Sequence, residues 1–135
     1  QVFRGVDDHP DYETYPSLLV LRFDAGLFFA SADALVDRLI DLHHQADPKL
    51  HTVVLDFEGV NFIDSQGADT LGEIIELATS RDIELRLARL KTMVKEFLQR
   101  DGIVDRLGED RIYGNVYEAA ADKIPATPKA PPGTG

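Results

Sequence analysis

The sequence contains no cysteine and no tryptophan, and its single methionine is Met93. Without cysteine there is no disulfide, no thiol nucleophile and no thiolate metal site. Positive charge is also scarce: 14 Lys and Arg stand against 24 Asp and Glu, a formal net charge of −10. That balance lacks the basic surface that long nucleic acid or an anionic bilayer requires. No apolar run approaches the roughly 20 residues of a membrane-spanning helix, so neither direct membrane insertion by these residues nor a secretory leader is expected. A glycine-rich phosphate loop ending in Gly-Lys-Ser/Thr is absent too. The chain opens on Gln1 rather than methionine, so the expectation is an excised or processed piece of a longer protein.

What remains is the content of one ordinary domain: 135 residues, 44% of them hydrophobic, enough for a core without staples. The first 17 residues, "QVFRGVDDHPDYETYPS", are polar and carry Pro10 and Pro16. They read as a short strand at Val2 to Arg4 followed by a linker loop. "LLVLRF" (Leu18 to Phe23) reads as a buried strand. Asp24-Ala25-Gly26 turns the chain into Leu27-Phe28-Phe29, and Ser31 is placed to cap a helix. In that helix Ala32, Leu35, Val36, Leu39 and Ile40 recur at helical spacing as far as His44 and Gln45.

"TVVLDF" (Thr52 to Phe57) is apolar on both faces and predicts a central strand. Beyond Asp64, Ala68, Leu71, Ile75 and Ala78 share one helical face. "IELRLA" (Ile83 to Ala88) alternates like a half-buried strand, and Thr92 opens a helix through Val94, Phe97 and Leu98. "RIYG" predicts a last short strand and Val116 to Lys123 a last short helix. The order implies an α/β fold, a small mixed sheet of about four to five strands packed by about four helices. Residues 18–123 form the domain, and 124–135, with four of the seven prolines, predict a disordered tail.

One corner stands out. In "NFIDSQGADTLGEIIELA" a strand has just ended, Asp64 caps a helix, and Ser65, Gln66 and Gly67 form its first turn. In open α/β sheets the usable crevice lies at the carboxyl ends of parallel strands. If the strands ending near Phe57 and at Ala88 are neighbours, Ser65 shares a rim with Arg89, Lys91 and Thr92. Two readings of the corner stand side by side. In one it is ordinary capping chemistry. In the other, the amides of Ser65 to Gly67 and the charge of Arg89 or Lys91 receive an anion. Ser65 is also a candidate for phosphorylation, whose charge Asp64 would oppose.

Other groups point less far. Ser65 and Asp64 with His43 or His44 suit nucleophilic chemistry only if a histidine comes near, and the histidines belong at the opposite end of the sheet, so no enzyme is expected. Asp41, His43, His44 and Asp47 could be drawn as metal ligands, but a solvated helix end accounts for them, and no metal is expected. Leu27, Phe28 and Phe29 cannot all face the core of an extended segment, which makes them candidates for partner contact. Arg86, Arg89, Lys91, Lys95 and Arg100 concentrate positive charge in an acidic chain.

"LLVLRFDAGLFFASA", "VVLDFEGVNFIDSQGADTLGEI" and "RDIELRLARLKTMVKEFLQRDGIVDRLG", in this order, resemble a STAS domain over about Val2 to Ala121. The segment Arg22 to Ala30 is similar to the branch at the cytoplasmic carboxyl end of sulfate permease family anion transporters. "IDSQG" is similar to the corner shared with anti-sigma factor antagonists. Ser31 departs from the asparagine common among transporter members. The resemblance implies a regulatory domain with the transmembrane part of a transporter as its partner, at the cytoplasmic face of the membrane. It implies no required cofactor, a guanine or adenine nucleotide as a candidate ligand, and Ser65 at the position phosphorylated in anti-sigma antagonists. The alternative it leaves is a free-standing phospho-switch of the anti-sigma antagonist type.

Overall fold

The computed structural model describes residues 2–3, 11–24, 37, 40–41, 44–45 and 49–122. Six strands form one sheet in sequential order: β1 (Val2–Phe3), β2 (Asp11–Tyr15), β3 (Leu18–Asp24), β4 (Thr52–Gly59), β5 (Glu84–Ala88) and β6 (Ile112–Tyr113). β1, β2 and β3 run antiparallel, whereas β3 through β6 are parallel neighbours. The helices that follow β4 are α1 (Ser65–Ser80), α2 (Thr92–Arg100), α3 (Ile103–Leu107) and α4 (Val116–Ala120), with a 3₁₀ turn at Glu109–Arg111. The mixed sheet and its helical cover match the expectation. Two of the six strands are two-residue edges.

β2 corrects the reading of residues 1–17 as a strand and a linker loop. Pro16 is not a breaker there but the corner of a hairpin: Tyr15 pairs with Leu18, and Ser17 takes φ +68°. Proline at the second turn position and a positive φ at the third suit a type II turn. The Ser17 carbonyl then accepts from the His51 and Thr52 amides at 2.8 and 3.1 Å, fastening the hairpin to the start of β4.

Alternation along the strands separates two faces of the sheet. On one, Leu19, Leu21, Val53, Leu55, Phe57, Leu85 and Leu87 are buried beneath Leu71 and Ile74 of α1, Val94 and Leu98 of α2, and Ile103 and Leu107 of α3. On the other, Leu18, Val20, Val54 and Ala88 meet Ala119 and Ala120 of α4, with Tyr15, Tyr113 and Val116 at the margin. β5 is therefore buried on both faces rather than half-buried, because α4 covers its second side.

α1 has defined ends. The Asp64 carboxylate accepts the Gly67 amide at 2.9 Å, satisfying one of the four orphan donors at a helix start. At the other end Asp82 stands at φ +59°, its amide bonds the Thr79 carbonyl at 3.2 Å, and the Ile83 amide bonds the Ala78 carbonyl at 2.8 Å. This is a Schellman closure with aspartate where glycine is usual. Where α1 passes α3, a Cβ on Gly72 would come within 2.8 Å of Arg106 Nη1.

The last helix stops at Ala120, short of the expected Lys123. Described residues between Asp37 and Gln45 are helical, as the spacing predicts. Leu27 to Phe29, Ser31, His43, Asp47 and the proline-rich tail lie outside the described residues.

Candidate functional site

β4 and β5 are parallel neighbours, so the two corners expected to share a rim do share it. Asp64, Ser65 and Gln66 are exposed at the start of α1 and Gly67 is buried. Lys91 and Thr92 are exposed at the start of α2. Lys91 is the N-cap of α2 and makes no side-chain cap bond, which leaves that first turn without the side-chain acceptor that Asp64 supplies to α1. Of the three amides assigned to an anion, Gly67 already donates to the Asp64 carboxylate. A resident anion thus sits where an incoming one was expected.

Arg89 differs more from its expected role. Asp56, fully buried near the end of β4, accepts from Arg89 Nε at 3.1 Å and from Arg89 Nη2 at 2.6 Å. It also accepts from Arg22 Nε at 2.9 Å and from the Glu58 amide at 3.0 Å. The carboxylate is thus clamped between β3 and the end of β5, with each oxygen taking two donors. Burial alone would push the Asp56 carboxyl up; the hydrogen bonds from Arg89, Arg22 and the Glu58 amide outweigh it and hold the pKa below the ordinary value. The same pairing raises the Arg89 guanidinium. Arg89 adopts φ +60°, a left-handed conformation unusual for a long side chain, and its amide donates to the Tyr113 carbonyl at 3.1 Å. Its charge is committed to the fold, and binding of an external anion there requires exchange with Asp56.

The other members of the basic concentration are dispersed. Arg86 lies on the α4 face, 4% exposed, away from the rim. Lys95 pairs with Glu109 at 2.7 Å, and Arg100 is exposed near the end of α2. Asp41 and His44 belong to the helical residues that precede β4, at its amino end, and the His44 carbonyl accepts from Lys49 Nζ at 3.2 Å. This is the end of the sheet opposite the rim, as expected. Among the described residues no group of three or more His, Cys, Asp or Glu is placed to hold a metal. Around the rim, Phe62 and Met93 are large apolar side chains left 56% and 68% exposed.

Asp56 and Arg22 went unassigned in the sequence. One signal was available: a lone aspartate inside "TVVLDF" must be paired if that strand is buried on both faces. Nothing in the sequence says which of the arginines answers it.

The family model of the STAS domain matches residues 9–119. Over 129 residues the chain is 31% identical to "Sulfate transporter 3.2" of Arabidopsis thaliana, an alignment spanning 90% of this chain and 20% of that protein. The chain thus spans about a fifth of the length of the curated relatives it matches. Its fold is similar to the STAS domain of a SulP transporter from Vibrio cholerae (TM-score 0.68, 24% identity, 82% of this chain and 83% of that one). It is also similar to an anti-sigma factor antagonist in its unphosphorylated form (TM-score 0.62, 20% identity, 83% and 92%). A family match across most of the length, and a small mixed sheet packed by helices as the resemblance implied, lead to one assignment: the chain belongs to the STAS family.

Proposed function

We propose that this chain is the regulatory STAS domain of an anion transporter, acting at the cytoplasmic face of the membrane on the transporter's membrane-spanning part. The observation that carries this reading is the match of nearly the whole chain to about a fifth of a sulfate transporter. A module of this size within a much longer relative serves the rest of that protein. Among the described residues no helix is long and apolar enough to cross a membrane, in keeping with a partner that supplies the membrane part. The role is non-enzymatic: it needs a surface and an input, not a reaction.

The input of this reading is a phosphate or a guanine or adenine nucleotide at the rim. Lys91 and the start of α2 support it, since Lys91, Thr92 and Met93 are exposed and the Lys91 side chain does not cap that turn. Asp64, Ser65 and Gln66 line the facing corner, and Arg89 joins only by exchanging Asp56 for the ligand. The test is an amide-resolved NMR titration of the chain with GTP, GDP, ATP and sulfate in turn. Saturable shifts at Ser65–Gly67 and Arg89–Thr92, lost in Lys91→Glu, are expected. No movement of those amides at millimolar ligand overturns the nucleotide input. Lys91→Glu is a cleaner probe than Arg89→Glu, which would set a second carboxylate against buried Asp56.

A second reading rests on Ser65, which is exposed in the first turn of α1 within a fold similar to an anti-sigma factor antagonist. There the input is phosphorylation of Ser65 by a partner kinase. Phosphate on Ser65 recovered by mass spectrometry from cells, with no nucleotide shifts in the titration, would favour it.

A further inference from the structure

The second face of the sheet holds a side chain that neither reading uses. Arg86 rises from the middle of β5 into the space beneath α4 with its side chain only 5% exposed. Each of its three guanidinium nitrogens donates. Nε donates to Glu84 at 2.8 Å, Nη1 to the Ala119 carbonyl at 2.8 Å, and Nη1 and Nη2 to the Asp122 carboxylate at 2.7 and 3.1 Å. The Tyr113 ring lies 5.6 Å from its central carbon. Arg86 therefore grips α4 at its carboxyl end, where helix carbonyls lack partners and the dipole favours a cation. Its pairing with Asp122, ahead of the opposing cost of burial, raises its pKa further above the usual arginine range.

α4 offers little else to hold it. Five residues are too few for a helix to persist alone in water. Its fully buried side chains are two alanines, Ala119 and Ala120, with Val116 half-buried and Tyr117 80% exposed. It rests on β4, β5 and β6 and its apolar contacts belong to the smaller cluster; the larger one, under α1, α2 and α3, does not include it. The two carboxylates on Arg86 reach solvent, Glu84 35% and Asp122 60% exposed at the side chain, so salt and competing ions have access to the grip.

From this geometry we infer that α4 is a releasable strap latched by Arg86, able to leave the sheet while the α1–α2–α3 face stays folded. Release uncovers Val54 and Ala88, frees the Arg86 fork, and detaches from the sheet the point at which the chain continues beyond Asp122. A signal acting on the carboxyl side of the domain then has a defined element to shift, independent of the rim. The inference does not rest on the transporter reading.

Hydrogen exchange followed by NMR on the full chain tests it. In the wild type, the amides of Glu118 and Ala119, bonded to Asn115, should exchange at least tenfold faster than those of Ile75 and Leu87. In Asp122→Asn, which thins the latch from its exposed side, Glu118 and Ala119 should exchange about tenfold faster again with Ile75 and Leu87 unchanged. Arg86→Lys, which keeps the charge but loses the fork, should release α4 further. Equal exchange in α4 and the core of the wild type, or an Asp122→Asn change shared by all amides, would overturn the inference. Should Arg86→Lys fail to fold, the Asp122→Asn comparison still decides.

Discussion

The two faces of this sheet are built from the same strands and held by different physics. Beneath α1, α2 and α3 the described strand residues present seven buried apolar side chains and no buried charge. On the face that α4 covers they present Arg22, Asp56, Glu84 and Arg86 beside a smaller apolar cluster. Apolar burial is non-directional and cumulative, so the first face is cohesive but says little about where a loop must point. Charge-assisted hydrogen bonds are directional, so the second face adds less bulk stability and more definition. Asp56 sets the exits of β3 and β5, and Arg86 sets the place of α4. In this domain the parts that must be oriented are keyed by charge, and the parts that must simply stay together are keyed by area.

That contrast can be broken most severely on the apolar face. Phe57→Ala removes a side chain with no exposure and should cost about 3–5 kcal/mol in chemical denaturation, the usual range for a buried phenylalanine. Val54→Ala, on the opposite face of the same strand, loses two methylene equivalents and should cost about 1.6 kcal/mol by area alone. Equal losses for the two would erase the distinction between the faces.

Asp56→Ala comes next. Removing one partner of a buried ion pair costs about 3–5 kcal/mol, and here about 2–3 kcal/mol is expected, because Arg22 and Arg89 keep side-chain exposures of 41% and 35% and can be resolvated. The pH dependence has a definite sign. Asp56 titrates lower in the folded chain than an ordinary aspartate, so its contribution is complete above the ordinary range and lost as pH falls through the lowered value. Asp56→Asn should therefore flatten the acid limb of a stability–pH curve below about pH 4; an unchanged limb would remove Asp56 from the account. Smallest is Asp64→Ala, the cap of α1, expected to cost about 1 kcal/mol. If it exceeds Asp56→Ala, the polar definition of the fold lies in helix caps rather than in the charge clamp.

How much of this the sequence shows depends on the range of the interaction. β4 and the buried stripe of α1 follow from local patterns, a two-sided apolar run and a helical repeat, and both are found where those patterns place them. β2 was legible in principle, since "DYETY" alternates and Pro16-Ser17 suits a turn, but two flanking prolines read more easily as breakers. α3 is five residues long, too short to complete a periodic window. The clamp on Asp56 joins residues 33 and 34 positions apart, and side-chain types alone do not say which charges face one another. The rim follows from the alternation of strand and helix only on the condition that β4 and β5 are neighbours, which the structure supplies. The commitment of Arg89 to Asp56 was not foreseen, and it changes which residue a ligand test should target.

The two-residue strands at either margin of the sheet have a consequence for crowding. If the chain is appended to a transporter, as proposed above, copies of it would lie close together, and a long bare strand at a domain's border invites a neighbouring chain to zip onto it. Among the described residues the marginal strands β1 and β6 are two residues long, too short to template an extended ladder by themselves. Packed side by side, such domains should meet through side chains, as separable neighbours, rather than fuse into a continuous sheet.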